Sequence, residues 1–362
     1  MTLDFVPRIL CLCLASFFLV HLALGAAVNL FAPAVIRMAE RRRAHRAARM
    51  LLAIRFLPPA CGLFVAVWSV FAYAWIERIA HAEQVGFVCL GATLLGVLAL
   101  MVPLVRGLTS VVRTLRYFRR CQRAGRVMRL PGERSPALVI EGAFPFFAVA
   151  GIFRPRLVVS GSVLSALSAE QLAVAVRHER AHRLALDNLK RLLVLLAPDL
   201  LPFFGGFNKL ESAWVKFAEW AADDRAAAGN LRRSVTLAEA LVRIASLGVC
   251  HEAPTLMTPL LTQHRDFAAR VNRLIDELAP RSRPRRRRPV LVAFLLLTVG
   301  GLVSFAAAQP AALSSLGRTL DQLHHIGVSS KGRKKGSHKW RRAAATARPP
   351  KTAAPAVQAP VR

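Results

Sequence analysis

Apolar positions near the amino terminus run in three long stretches, and the polar positions between them are mostly arginine. Roughly Ile9 to Ile36, Leu51 to Ile76 and Val85 to Val105 are each long enough to cross about 30 Å of hydrocarbon as a helix. Arg37, Arg41, Arg42, Arg43, Arg46 and Arg49 follow the first run, and a second cluster from Arg106 to Arg129 follows the third. Arginine-rich flanks stay on the cytoplasmic side of a membrane, so the first run ends inside, the second leaves and the third returns. The loop Glu77 to Gln84 carries little charge and suits the outer side. Ala23 to Ala27 offers a small-residue cleavage site, but the run stays apolar past it and only Asp4 and Arg8 are charged before it. That predicts a retained span rather than a signal peptide.

From Ser135 to about Pro280 the pattern is that of a mixed domain. Ala137 to Ile140, Phe144 to Ile152 and Leu157 to Ser160 are rich in β-branched and aromatic residues and are separated by turn residues, which predicts a small sheet or hairpin. Its edge is a natural place for an extended substrate to add a strand. Ser168 with Gln171 forms a capping box that starts a helix running to about Leu186. Leu192 to Phe207 is apolar but broken by Pro198, Asp199, Pro202 and Gly205-Gly206; it is too short and interrupted for a span, though a dip into the membrane interface fits it. A further helix, about Glu211 to Ala228, ends at Gly229-Asn230, and helical stretches continue to Glu277. The arginines from Arg281 to Arg288 then precede a fourth apolar run, Val290 to Ala308. The Ala/Pro/Lys/Arg-rich tail beyond it is predicted to be disordered, to lie by count of crossings on the extracytoplasmic side and to hold His324 and His325 as solvated residues.

Composition sharpens this division. The 362 residues are 54% hydrophobic and carry a formal charge of +31, with a mean hydropathy of +0.40. One soluble globule does not combine these values, whereas a multispan protein with basic loops does. Nucleic-acid binding is the other use of such charge, but no recognised module or aromatic-basic interleaving accompanies it, so no direct nucleic-acid contact is expected. Four of the six cysteines lie in apolar runs and none forms a Cys-x-x-Cys pair, which fits reduced packing residues.

The chemistry concentrates in His178-Glu179-Arg180-Ala181-His182. Histidines at i and i+4 of a helix share a face and can reach one metal ion, and the adjacent glutamate is placed to take a proton from a water activated by that ion. A catalytic Zn2+ needs a third protein ligand. Ala185 and Asn188 stand where the extended histidine pattern has glycine and histidine, which turns the search to a later helix. Glu219 is the best candidate, and Asp223, one turn on, is placed to accept a hydrogen bond from a ligating histidine. Arg225 either stabilises charge at the site or pairs with Asp224; His251 and His264 are left unassigned.

Three groups of residues carry a resemblance: Gly151 to Ser160 with Leu167 to Leu172, His178 to His182 with Asp187-Asn188, and Glu219-Trp-Ala-Ala-Asp223. Together they resemble the zinc-peptidase domain of the BlaR/MecR-type regulatory membrane proteases, and the last element is similar to one in the related CAAX prenyl proteases. The resemblance implies zinc on His178, His182 and Glu219, with Glu179 as general base. It also implies a protein substrate such as a winged-helix repressor, or the chain itself. The tail lacks the penicillin-binding domain of the antibiotic-sensing members and their Ser-x-x-Lys set, so β-lactam sensing is not expected.

The expected fold is therefore mainly α: four transmembrane helices with a cytosolic α+β zincin-like (gluzincin) peptidase domain carrying a small β-sheet. The divisions are 1–134 for three spans, 135–280 for the peptidase domain, 281–308 for linker and fourth span, and 309–362 for the tail. The expected place is the cytoplasmic membrane, with the peptidase inside. Two alternatives stay open: a non-catalytic receptor or scaffold, and a broad quality-control protease.

Overall fold

The computed structural model describes residues 5–76, 87–131, 133, 135–141, 145–152, 155–248, 256, 258–259 and 264–276. The expected linker Arg281 to Arg288, the fourth span Val290 to Ala308 and the tail lie outside the described residues.

The three apolar runs form helices α1 (Phe5–Glu40), α2 (Ala44–Ile76) and α3 (Phe87–Ala124), all long and apolar enough to cross a membrane. Each is longer than its apolar run. α3 continues through Arg113, Arg116, Arg119, Arg120 and Arg123, where sequence patterning predicts a loop, because arginine is a good helix former and its cationic heads suit a helix carboxyl end. α1 and α2 form a hairpin over Arg41 to Arg43, with Cys13 Sγ donating to the Ala66 carbonyl across it at 3.4 Å. α3 packs on α1 so closely that Thr93 Oγ1 donates to the Cys11 carbonyl at 3.0 Å. Small residues allow that approach: a Cβ on Gly96 would stand 2.6 Å from the Leu14 carbonyl oxygen.

A small mixed sheet follows, in the order β1-β2-β4-β3-β5, made of β1 (Arg126–Met128), β2 (Ala137–Ile140), β3 (Phe147–Ala150), β4 (Arg156–Ser160) and the two-residue β5 (Thr258–Pro259). β2 and β4 are parallel and the other pairs antiparallel. Alternation in the central strands feeds two cores. Phe147, Val149, Leu157 and Val159 pack with α5 (Ala169–Ala185), α8 (Leu231–Ser246) and α9 (His264–Asp276). Phe146, Ala148, Ala150 and Val158 meet Cys121, Tyr117 and Phe118 of α3 on the opposite face. The short α4 (Gly161–Ala166) links the sheet to α5, and α6 (Asp187–Leu196) follows it.

α7 (Gly206–Ala227) starts five positions before the expected Glu211 and joins the two halves. Phe207, Leu210, Trp214, Phe217 and Ala221 form a third core with Val28, Ala32 and Val35 of α1 and Ala47, Leu51 and Ile54 of α2. At its start Arg55 of α2, 1% exposed, donates to Glu211 at 2.9 Å and to the carbonyls of Ala197 and Pro198 at 2.9 and 3.2 Å, with its guanidinium over the Phe207 ring. One buried cation thus ties α2 to the carboxyl end of α6 and to α7.

Candidate metal centre

The site is built on α5, whose first turn is closed by the expected capping box: Ser168 Oγ accepts from the Gln171 N–H at 3.2 Å and Gln171 Oε1 from the Ser168 N–H at 3.1 Å. Running unbroken to Ala185, α5 stacks His178 and His182 one turn apart, both buried, with their Nε2 atoms 3.0 Å apart. α7 brings Glu219 to the same point, its Oε2 lying 3.5 Å from His178 Nε2 and 3.6 Å from His182 Nε2. These three side chains form a group able to hold one metal ion.

What fixes the imidazoles is carried by two aspartates. Asp223, one turn after Glu219, meets His178 Nδ1 at 3.0 Å. α5 ends at Leu186 in the left-handed region (φ 56°), and this abrupt turn starts α6 so that Asp187 Oδ2 meets His182 Nδ1 at 2.8 Å. A carboxylate on Nδ1 selects the tautomer with its proton there, which leaves a bare lone pair on each Nε2. Two ring nitrogens 3.0 Å apart need a shared proton or a cation to offset their repulsion. The donor set of two imidazole nitrogens and one carboxylate oxygen is one that zinc and related divalent ions accept.

Electrostatics agrees. Burial by itself pushes the His182 imidazole down, but Glu219, Asp187 and Glu179 around it hold its pKa up at about 10. Surroundings that hold a proton this firmly also favour a metal in its place. Burial likewise works against charge on Glu219, yet His182 and Arg270 keep its carboxyl well below the ordinary range. For Glu179 the balance falls the other way: burial, joined by the charge of Glu219, outweighs the pull of His178, His182 and the Val149 N–H and holds its pKa up at about 7. Its Oε2 accepts from the Val149 N–H of β3 at 3.1 Å, and its buried Oε1 has no partner among the described residues.

Arg270 of α9 gives the site a feature that the motif does not announce. Its Nε and Nη2 grip both oxygens of Asp223 at 2.7 Å, Nη1 lies 3.2 Å from Glu219 Oε2, and Nη2 lies 3.1 Å from His178 Nε2. Arg225 lies at the surface, donating to the Ala181 carbonyl at 3.3 Å, while Asp224 is held by Arg273. The arginine that reaches the histidine pair is therefore Arg270. Asn188, beside Asp187, donates to the carbonyls of Val149 and Gly151 at 3.1 and 2.9 Å and fixes β3 against α6. β3 is in turn paired over Ala148 and Val149 with β5, so the edges of the described sheet are β1 and β5. His251 lies outside the described residues, and of His264 the structure describes the backbone at the start of α9.

No protein-family model matches the sequence, and no curated protein matches it either.

Proposed function

We propose that the chain is a membrane-bound zinc metallopeptidase with Glu179 as its general base. The observation that supports this reading best is the pair of oriented Nε2 lone pairs facing Glu219 Oε2, with the unpartnered Glu179 Oε1 on the next residue of the same helix turn. His178, His182 and Glu219 would hold a Zn2+, which would supply Lewis acidity to polarise a carbonyl and bring the pKa of a bound water to about 7. Glu179 is the residue that would take a proton from a water attacking the amide carbon and return it to the amine nitrogen as the C–N bond breaks. The Val149 N–H holds one Glu179 oxygen so that the other is presented to the water.

The active site is proposed to face the cytosol. His45 and Arg49, at the arginine-rich end of the α1–α2 hairpin, line a surface pocket with Ala181, Asp187 and Ala222, so the metal group sits at that end of the bundle. The proposed substrate is a protein: a regulatory repressor of the winged-helix kind, or the chain itself within Arg281 to Pro289.

A second reading is favoured by one observation, the Arg270 guanidinium placed against His178 Nε2 and Glu219. It makes the group a salt-bridged core in a receptor or scaffold that binds partners without cleaving them. Metal content and turnover separate the two. The peptidase reading expects about one zinc per chain in the wild type, loss of it in His178→Ala, and full metal content in Glu179→Gln with proteolysis reduced by about 10² to 10⁴-fold. Wild-type protein without metal, or processing unchanged in Glu179→Gln, overturns it.

A further inference from the structure

The loop between α6 and α7 is held at one level of all three membrane helices. On α1, Asn29 Oδ1 accepts from the Phe207 N–H at 3.3 Å, and a Cβ on Gly25 would touch the Phe207 ring at 3.7 Å. On α2, Arg55 holds the Ala197 and Pro198 carbonyls. On α3, Arg106 donates to the Leu195 carbonyl from Nε and Nη2 at 3.3 and 2.9 Å, and Gly107 leaves room for Leu196, whose Cδ2 would be 2.5 Å from a Cβ there.

The exposed apolar surface thins out near that level, and beyond it, among the described residues of the three helices, only Val112 and Leu115 of α3 continue it, among arginines. The exposed large apolar residues of α1 extend to Leu30 and Phe31, those of α2 begin at Leu63, and on α3 a dense belt runs from Leu90 to Leu108. No exposed large apolar residue is found between Ala44 and Pro59 on α2 among the described residues. From this level to the far ends, each helix offers about twenty residues, or roughly 30 Å at 1.5 Å per residue, which matches one hydrocarbon thickness. Arg55 and Arg106 mark its rim. Into this rim projects the 3-10 turn Pro202–Phe204, with Phe203 97% and Phe204 71% exposed and with Leu193 of α6 also exposed. Two adjacent phenylalanines bared to water are costly, whereas at a bilayer boundary they continue the belt of Leu104, Val105 and Leu108.

We propose that the Pro202–Phe204 turn is seated in lipid at the rim of the bilayer, and that this seat fixes the height of the metal group. α7 leads away from the turn along the α1 and α2 segments that lack a lipid-facing surface, so Glu219 stands up to roughly 20 Å of helix from Gly206 and outside the hydrocarbon. A corollary, which alone rests on the peptidase reading, is that a membrane-anchored substrate must carry its scissile bond about six extended residues clear of the bilayer.

An environment-sensitive fluorescent amino acid, incorporated at 203 or 204 and, for comparison, at surface position 225, tests the seat in the full chain. The protein is reconstituted into phosphatidylcholine/phosphatidylglycerol vesicles containing lipids brominated either near the glycerol or near the chain ends. At 203 and 204 the emission should lie to the blue of that at 225 and be quenched severalfold more by the shallow bromines than by aqueous iodide, with the reverse preference at 225. Iodide quenching at 203 and 204, or a blue shift insensitive to any brominated lipid, as for a surface covered by protein, overturns the proposal. So does stronger quenching by bromines at the chain ends, which would make the segment a crossing. None of these outcomes depends on turnover.

Discussion

Asp187 and Asp223 make the same contact with the two histidines, yet their surroundings predict different results when each is neutralised. Asp187 shares its second oxygen with Lys190 Nζ at 3.1 Å, and that lysine side chain is 31% exposed. In Asp187→Asn the lysine turns to water, so folding should change little while metal affinity falls about 10- to 100-fold as the His182 tautomer is released. Asp223 is fully buried and holds Arg270, itself almost without exposure. Asp223→Asn leaves a buried guanidinium short of its main partner, a change that typically costs about 3 to 5 kcal/mol. Chelator competition for affinity and thermal melts for stability should therefore separate the pair: weak metal with normal melting for Asp187→Asn, and lowered melting for Asp223→Asn even with excess metal. Equal melting temperatures would show that Arg270 is not held as described.

At the scale of elements, the α5–α6 corner turns on a leucine in a conformation that suits glycine. Leu186 at φ 56° is half exposed, and a left-handed non-glycine residue costs roughly 1 kcal/mol or more. Leu186→Gly should fold with stability within about 1 kcal/mol of the wild type, since relief of strain offsets the extra freedom of the unfolded chain. Leu186→Val, β-branched at the same φ, should melt lower and bind metal more weakly because Asp187 and Asn188 lose their register; equal metal affinity in both variants would refute this link. The corner also marks the limit of what sequence reveals. The i, i+4 histidines, the capping box and the three spans are local patterns, and all are visible in the residues themselves. Glu219 is legible in part, because a buried-looking helix with two acids one turn apart calls for a cation. Arg270 is not: it lies 47 positions after the Asp223 it grips and is one of 51 lysines and arginines. Nor does sequence mark Leu186 as a left-handed cap, or the point within the arginines where α3 ends, since arginine neither breaks a helix nor favours a turn.

At the scale of the whole molecule, α7 is shared by two assemblies. One face supplies Glu219 and Asp223 to the metal group, and the other forms the core with α1 and α2 that Arg55 pins at its start. Any ion that binds the folded site and not the unfolded chain should therefore stabilise the membrane helices along with the soluble part. Linkage sets the size at about 2.7 kcal/mol when free metal is one hundred times its Kd. Thermal scans in detergent should show a single transition that moves up on adding Zn2+ and back on adding chelator, with no movement in Glu219→Gln. In Arg55→Met the carbonyls of Ala197 and Pro198 lose a buried donor, each such loss costing about 1 to 3 kcal/mol. The transition should then fall and split into a metal-sensitive step and a metal-insensitive one. If Arg55→Met instead keeps one metal-shifted transition, the cation at the end of α6 is not what joins the membrane bundle to the metal group, and the α1, α2 and α7 packing alone carries that coupling.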